Sequence, residues 1–72
     1  MDSIKTTPIE PLTERDTDIL RRIAAGHSTA RIASDLDLSP TTIMWYRKRL
    51  HLKFDVHSAV ELVRLALEQK II

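Results

Sequence analysis

The 72-residue chain has no cysteine and a single glycine. Without cysteine, neither a disulfide framework nor a thiolate zinc site can supplement the core. With one glycine, a glycine-rich phosphate loop is excluded. No apolar run approaches the roughly 20 residues that a membrane span needs. The opening Met1-Asp2-Ser3-Ile4-Lys5 lacks the pattern of a signal peptide. A cytoplasmic protein with no membrane partner is therefore expected. No Ser/His/Asp arrangement or carboxylate pair is legible. His27, His51 and His57 are too scattered for metal-ligand spacing and read as solvated or capping residues. The expectation is a chain that is not an enzyme and takes no cofactor. What it does have is 43% hydrophobic and 29% charged residues, a globular composition. A chain of this length buries only about 60% of its unfolded surface, so one small core in one domain is expected.

The net charge is +1, but it is not spread evenly. Residues 1–40 balance to −2 and residues 55–72 to −1, whereas 41–54 carry Arg47, Lys48, Arg49 and Lys53 with no acid. A purely basic stretch in a nearly neutral chain is either a solvated helix face or the footprint of a polyanion. All three aromatics, Trp45, Tyr46 and Phe54, fall in the same stretch and favour the polyanion.

Residues 1–11 hold two of the three prolines and no sustained periodicity, and read as a leader or the end of a linker. Four helical patterns come after them, and no strand pattern. The first, about 14–25, has Thr13 as cap, Glu14 and Asp16 at the positive end of the dipole, and Gly26 as its stop. The second, about 29–36, starts after Ser28. The third, 40–53, starts from a Ser39 cap with Pro40 at the first helical position. Ile43, Tyr46, Leu50 and Phe54 share one side of it as core, with Met44, Trp45, Lys48, Arg49 and Leu52 opposite. The fourth, about 58–70, is apolar on several sides, through Ala59, Val60, Leu62, Val63, Leu65, Ala66 and Leu67. Either the bundle covers all of these or a second protomer does.

The break at residues 37–39 has the length of a helix-turn-helix connection, whose second helix enters the major groove of DNA. The third helix has the required division into a packed side and a contact side. The hydroxyls of Ser39, Thr41 and Thr42 lie beside free backbone N–H groups, a ready place for a phosphate oxygen.

From Leu12 to Ile72 the sequence resembles, without gaps, the LuxR-type (FixJ- or GerE-type) DNA-binding domain found at the C-terminus of response-regulator transcription factors. The residues that carry the resemblance are L-T-E-R-D-T-D-I-L at 12–20, I-A-A-G-H-S-T-A-R-I-A at 23–33, L-D-L-S-P-T-T-I at 36–43, L-H-L-K-F-D-V at 50–56 and A-V-E-L-V-R-L-A-L-E-Q-K-I-I at 59–72. The resemblance implies an all-α, four-helix helix-turn-helix domain over 12–72. It implies sequence-specific binding of double-stranded DNA for transcription regulation, a homodimer through the fourth helix, and an upstream receiver domain in a longer two-component protein. Leu62, Val63 and Ala66 are the expected dimerisation positions. The sequence departs from the family where Met44 replaces a frequent Lys or Glu, Tyr46 a common His, Arg49 a common Asn and Ala59 a frequent Arg. Base preference therefore does not transfer.

Lys48, central on the contact side, is expected to reach a guanine edge or a phosphate. Met44 and Trp45 are expected beside it, against thymine methyls or sugars; the alternative for Trp45 is burial on the second helix. Arg47 and Arg49 are expected at phosphates, or in surface ion pairs with Asp35 or Asp37. Lys53 is a phosphate contact or a solvated charge. Ser28, Thr29, Thr41 and Thr42 combine capping with phosphate contact. A reading of another class is a helical protein-interaction module that uses the Met44/Trp45/Leu52 face as its hot spot.

Overall fold

The start of the first helix sets the position of much of the bundle. Thr13 accepts from the Asp16 backbone N–H through its hydroxyl at 3.0 Å, and its own N–H donates to Asp16 Oδ2 at 3.0 Å. This reciprocal capping box satisfies two donors that a helix start leaves open. A computed structural model describes residues 12–72, and the expected leader, 1–11, lies outside the described residues. Four helices occupy the described residues: α1 (Glu14–Ala24), α2 (Thr29–Leu36), α3 (Pro40–Phe54) and α4 (Ala59–Glu68). They stand within one or two residues of the expected spans, and the described residues contain no strand.

Each helix has its own start and stop. Ser28, Ser39 and Ser58 accept from the N–H groups of Arg31, Thr42 and Glu61. Gly26, Asp37, Asp55 and Lys70 succeed the four helices in turn at positive φ. The next residue then bonds back to the last turn. His27 donates to Arg22 O at 3.0 Å, Leu38 to Ala33 O at 2.9 Å, Val56 to His51 O at 3.0 Å and Ile71 to Ala66 O at 2.9 Å. These closures satisfy carbonyls that would otherwise be orphaned. Only the first uses glycine. Short polar Asp37 and Asp55 tolerate the left-handed conformation at modest cost.

The core gathers Ile19, Leu20 and Ile23 of α1, Ile32 and Ala33 of α2, Ile43 and Leu50 of α3, Val56, and Leu62 and Ala66 of α4. α3 packs against all three other helices. Tyr46 and Phe54 lie half-buried against this core, as expected.

One charged side chain is fully buried with it. Asp16 accepts from Arg49 Nε at 3.3 Å and Nη2 at 3.4 Å, which ties the start of α1 to the middle of α3. Burial, the largest influence, opposes its charge. The Thr13 N–H, the Arg49 guanidinium and the Thr13 hydroxyl together outweigh it and hold the carboxyl below its ordinary pKa.

Because the folded value is lowered, the stabilisation is complete above the unfolded carboxylate value of about 3.9 and is lost as pH falls through the lower folded value. Asp16→Asn should cost about 1–3 kcal/mol in urea denaturation at pH 7. Its deficit against the parent should shrink as pH falls below about 4, where the unfolded carboxylate takes up protons before the folded one does. An equal deficit at pH 7 and pH 3 would contradict this account.

Candidate nucleic-acid interface

The turn between α2 and α3 is three residues long, and its chemistry aims α3. Asp37 closes α2 at φ 58, and Leu38 folds back to Ala33 O. Ser39 then opens α3: its hydroxyl accepts from Thr42 N at 3.1 Å and lies 2.9 Å from the Thr42 hydroxyl. Pro40 stands in the first turn, where it gives up no helical hydrogen bond. Ile43 and Leu50 are fully buried and fix the inner side of α3. At about 100° per residue, Met44, Lys48, Thr41, Leu52 and Trp45 then fall within one outward arc of roughly 100°. All five are exposed, Met44 to 61%, Trp45 to 57% and Leu52 to 74%.

Trp45 therefore does not fold back as core. Its ring meets Tyr46 edge-on, with centroids 5.0 Å apart, and the Arg49 guanidinium carbon stands 5.7 Å from its centre. Arg49 is half-buried, and its partner is Asp16 rather than Asp35 or Asp37. Asp35 is engaged elsewhere, with Arg22 at 3.2 Å and Arg31 at 3.7 Å. Arg47 and Lys53 flank the arc, half-buried, and the Arg47 carbonyl lies 2.7 Å from His51 Nδ1. At the start of α2, Ser28 is exposed and Thr29 half-buried. Among the described residues, no group of three or more His, Asp or Glu is placed to hold a metal ion, and no helix is long and apolar enough to cross a membrane.

The fourth helix corrects two expectations. Leu62 and Ala66 are fully buried in the bundle core, facing inward, and are unavailable to a partner. Val63 reaches the surface in part. The outward side of α4 carries Val60, exposed to 78%, and Leu67, exposed to 57%. With Ile23, Ala59, Val63 and Arg64 they line an open, mainly apolar groove against α1. Both sides of α4 are apolar, so its spacing alone does not tell the inward stripe from the outward one. The Asp16–Arg49 pair had only half a sequence signal. Thr13-x-x-Asp16 marks a capping box, but nothing local names a partner 33 residues away.

A short turn leading into a helix with one anchored and one outward side defines a helix-turn-helix domain, here within a four-helix bundle. The family "Bacterial regulatory proteins, luxR family" (GerE) matches residues 10–66. The chain belongs to this family and, as such a domain, is a DNA-binding module for transcription regulation and not an enzyme. It is 38% identical over 61 residues to the response regulator UvrY of Escherichia coli (strain K12), a match over 85% of this chain and 28% of that protein. It is 39% identical over 62 residues to the nitrate/nitrite response regulator protein homolog of Haemophilus influenzae, over 86% of this chain and 30% of that protein. The chain thus spans less than a third of either relative. Among solved structures, the response regulator ChrA of a heme-sensing two-component system superposes with a TM-score of 0.88 at 24% identity, over 94% of this chain and 34% of that one. That likeness speaks to the fold.

Ser39 is the hinge residue of this interface, since its hydroxyl starts α3. Ser39→Ala should lower stability by about 1 kcal/mol in thermal or urea unfolding. Ser39→Asp should restore most of it; a neutral Ser39→Ala would mean that the cap is not what holds the start of α3.

Proposed function

We propose that the domain binds a specific site in double-stranded DNA as a homodimer, with α3 of each copy in the major groove of one half-site. The observation that supports this is the division of α3: Ile43 and Leu50 fully buried, Met44, Trp45 and Lys48 exposed, and no acid anywhere in 41–54. Lys48 stands at the centre of the outward arc and contacts a base edge, while Met44 and Trp45 lie against the bases on either side of it. Arg47 and Lys53, at the margins, meet phosphates. Ser28 and Thr29 at the start of α2, and Thr41 and Thr42 at the start of α3, present helix N-termini to the same backbone. Arg49 serves the interface chiefly by holding Trp45, since its charge is already opposed by Asp16. The groove side of α4, with Val60, Val63 and Leu67, meets its copy in the partner. In the longer protein, a receiver domain precedes this module and controls when two copies meet. Regulators of that two-component kind are named among the relatives.

Selection from a random duplex pool supplies the site, and binding is then measured at fixed salt. Lys48→Ala should weaken the selected site by about 1–3 kcal/mol, and Arg47→Ala should weaken all duplexes alike and lower the salt slope by about 1. No retention of any duplex at low salt would sink the DNA reading and return the Met44/Trp45/Leu52 face to a protein partner.

The dimer has its own test. Sedimentation should find two chains per selected duplex, and Val60→Asp or Leu67→Asp should leave one chain bound with at least about tenfold weaker affinity, because a charge is placed in an apolar contact. One parent chain per duplex would remove the dimer.

A further inference from the structure

The outward arc of α3 carries more apolar surface than a phosphate-binding helix needs. Three of the five large exposed hydrophobic residues among the described residues, Met44, Trp45 and Leu52, lie there. Lys48 alone stands between them as an exposed cation. Elsewhere on a small domain such a patch would weaken solubility without return. Here Arg47 and Lys53 stand at its margins and residues 41–54 themselves hold no acid, which suits a polyanion that also offers apolar groups. In the major groove of DNA the apolar group on a base edge is the 5-methyl of thymine.

We propose that Met44, Trp45 and Leu52 form a methyl-reading face, which makes this domain select half-sites by the 5-methyl groups of pyrimidines and uses Lys48 as the single polar reader between them. The proposal rests on the DNA-binding reading above and adds the chemistry that is read. Trp45 is its central element because its ring is fixed before DNA arrives. Tyr46 packs edge-on at 85° from one side and Arg49 caps it at 5.7 Å. Arg49 is itself anchored by the buried carboxylate of Asp16. A side chain already held in place loses little freedom on binding, so a methyl contact of modest strength still discriminates. Met44, unbranched and polarizable, adapts to the neighbouring step. Leu52 lies two turns beyond Met44 on the same arc and extends the face toward the end of the half-site.

The test removes only the methyl groups. In the duplex selected by the 72-residue chain, each thymine is replaced singly by deoxyuridine, which keeps every base pair and every phosphate. Binding is measured by fluorescence anisotropy at one salt concentration. At least one position per half-site should lose about three- to tenfold in affinity, as expected for one methyl withdrawn from an apolar contact. In Met44→Ala or Trp45→Ala, both at exposed positions, the same replacement should have a smaller effect or none. Full binding to every deoxyuridine duplex would overturn the proposal while leaving DNA binding intact. So would an undiminished deoxyuridine effect in both variants. Failure to retain any duplex at low salt would overturn it together with the reading beneath it.

Discussion

The interface depends on one ion pair whose carboxylate, Asp16, is buried out of reach of water while its partner Arg49 is half-buried. Asp16 is buried at the start of α1, and Arg49 approaches it from the middle of α3. A buried charge without a partner is strongly unfavourable, so each of the two holds the other in place more firmly than a surface pair would. The capping box adds direction, because Asp16 is also bound to the Thr13 N–H and cannot swing away. One carboxylate thus sets the start of α1, the rotation of α3 about its axis and, through Arg49, the stance of Trp45. Apolar contacts alone would tolerate a helix turned by some tens of degrees. A hydrogen-bonded ion pair is directional and does not.

Economy of size makes that constraint matter. Among the described residues the core consists of ten apolar side chains, two from α2 and two from α3. With only Ile43 and Leu50 fully buried, α3 has a narrow anchor and a wide outward side. The same narrowness leaves α4 with apolar surface on both sides. Leu62 and Ala66 satisfy the bundle, while Val60 and Leu67 are left over. Surplus apolar surface thus stands at two separate places, one on α3 and one on α4, beyond what so small a core takes in.

The sequence makes the four helices readable because their signals are local. Thr13, Ser28, Ser39 and Ser58 are caps, Pro40 is a first-turn proline and Gly26 is a stop; each acts within four residues. The inner and outer sides of α3 are equally legible, since Ile43 and Leu50 repeat at helical spacing. The phase of α4 is not. Its apolar residues cover both sides, and periodicity alone does not say which stripe the core takes, so Leu62 and Ala66 are expected outward and stand inward. Asp37 and Asp55 as left-handed stops, and Arg49 as the partner of Asp16, depend on contacts that sequence spacing does not encode. Trp45 stands on the outer side as its spacing predicts, but its contacts with Tyr46 and Arg49 are visible only in the fold.

The reach of α3 also bears on how many copies a specific site requires. From Thr41 to Leu52 the outward arc spans eleven residue steps, about 16 Å at 1.5 Å per residue. Stacked base pairs are about 3.4 Å apart, so one arc lies over roughly five of them. Five positions distinguish about a thousand sequences even if every one is read fully, against roughly a million competing sites in a small genome. Reading by methyl groups narrows this further, because it separates thymine from the other bases more sharply than those from one another. Two arcs on one duplex multiply their discrimination and bring the product to the scale of the genome. One arc alone falls short of that scale, which is the physical argument for the proposed homodimer and for giving the leftover apolar side of α4 to its contact.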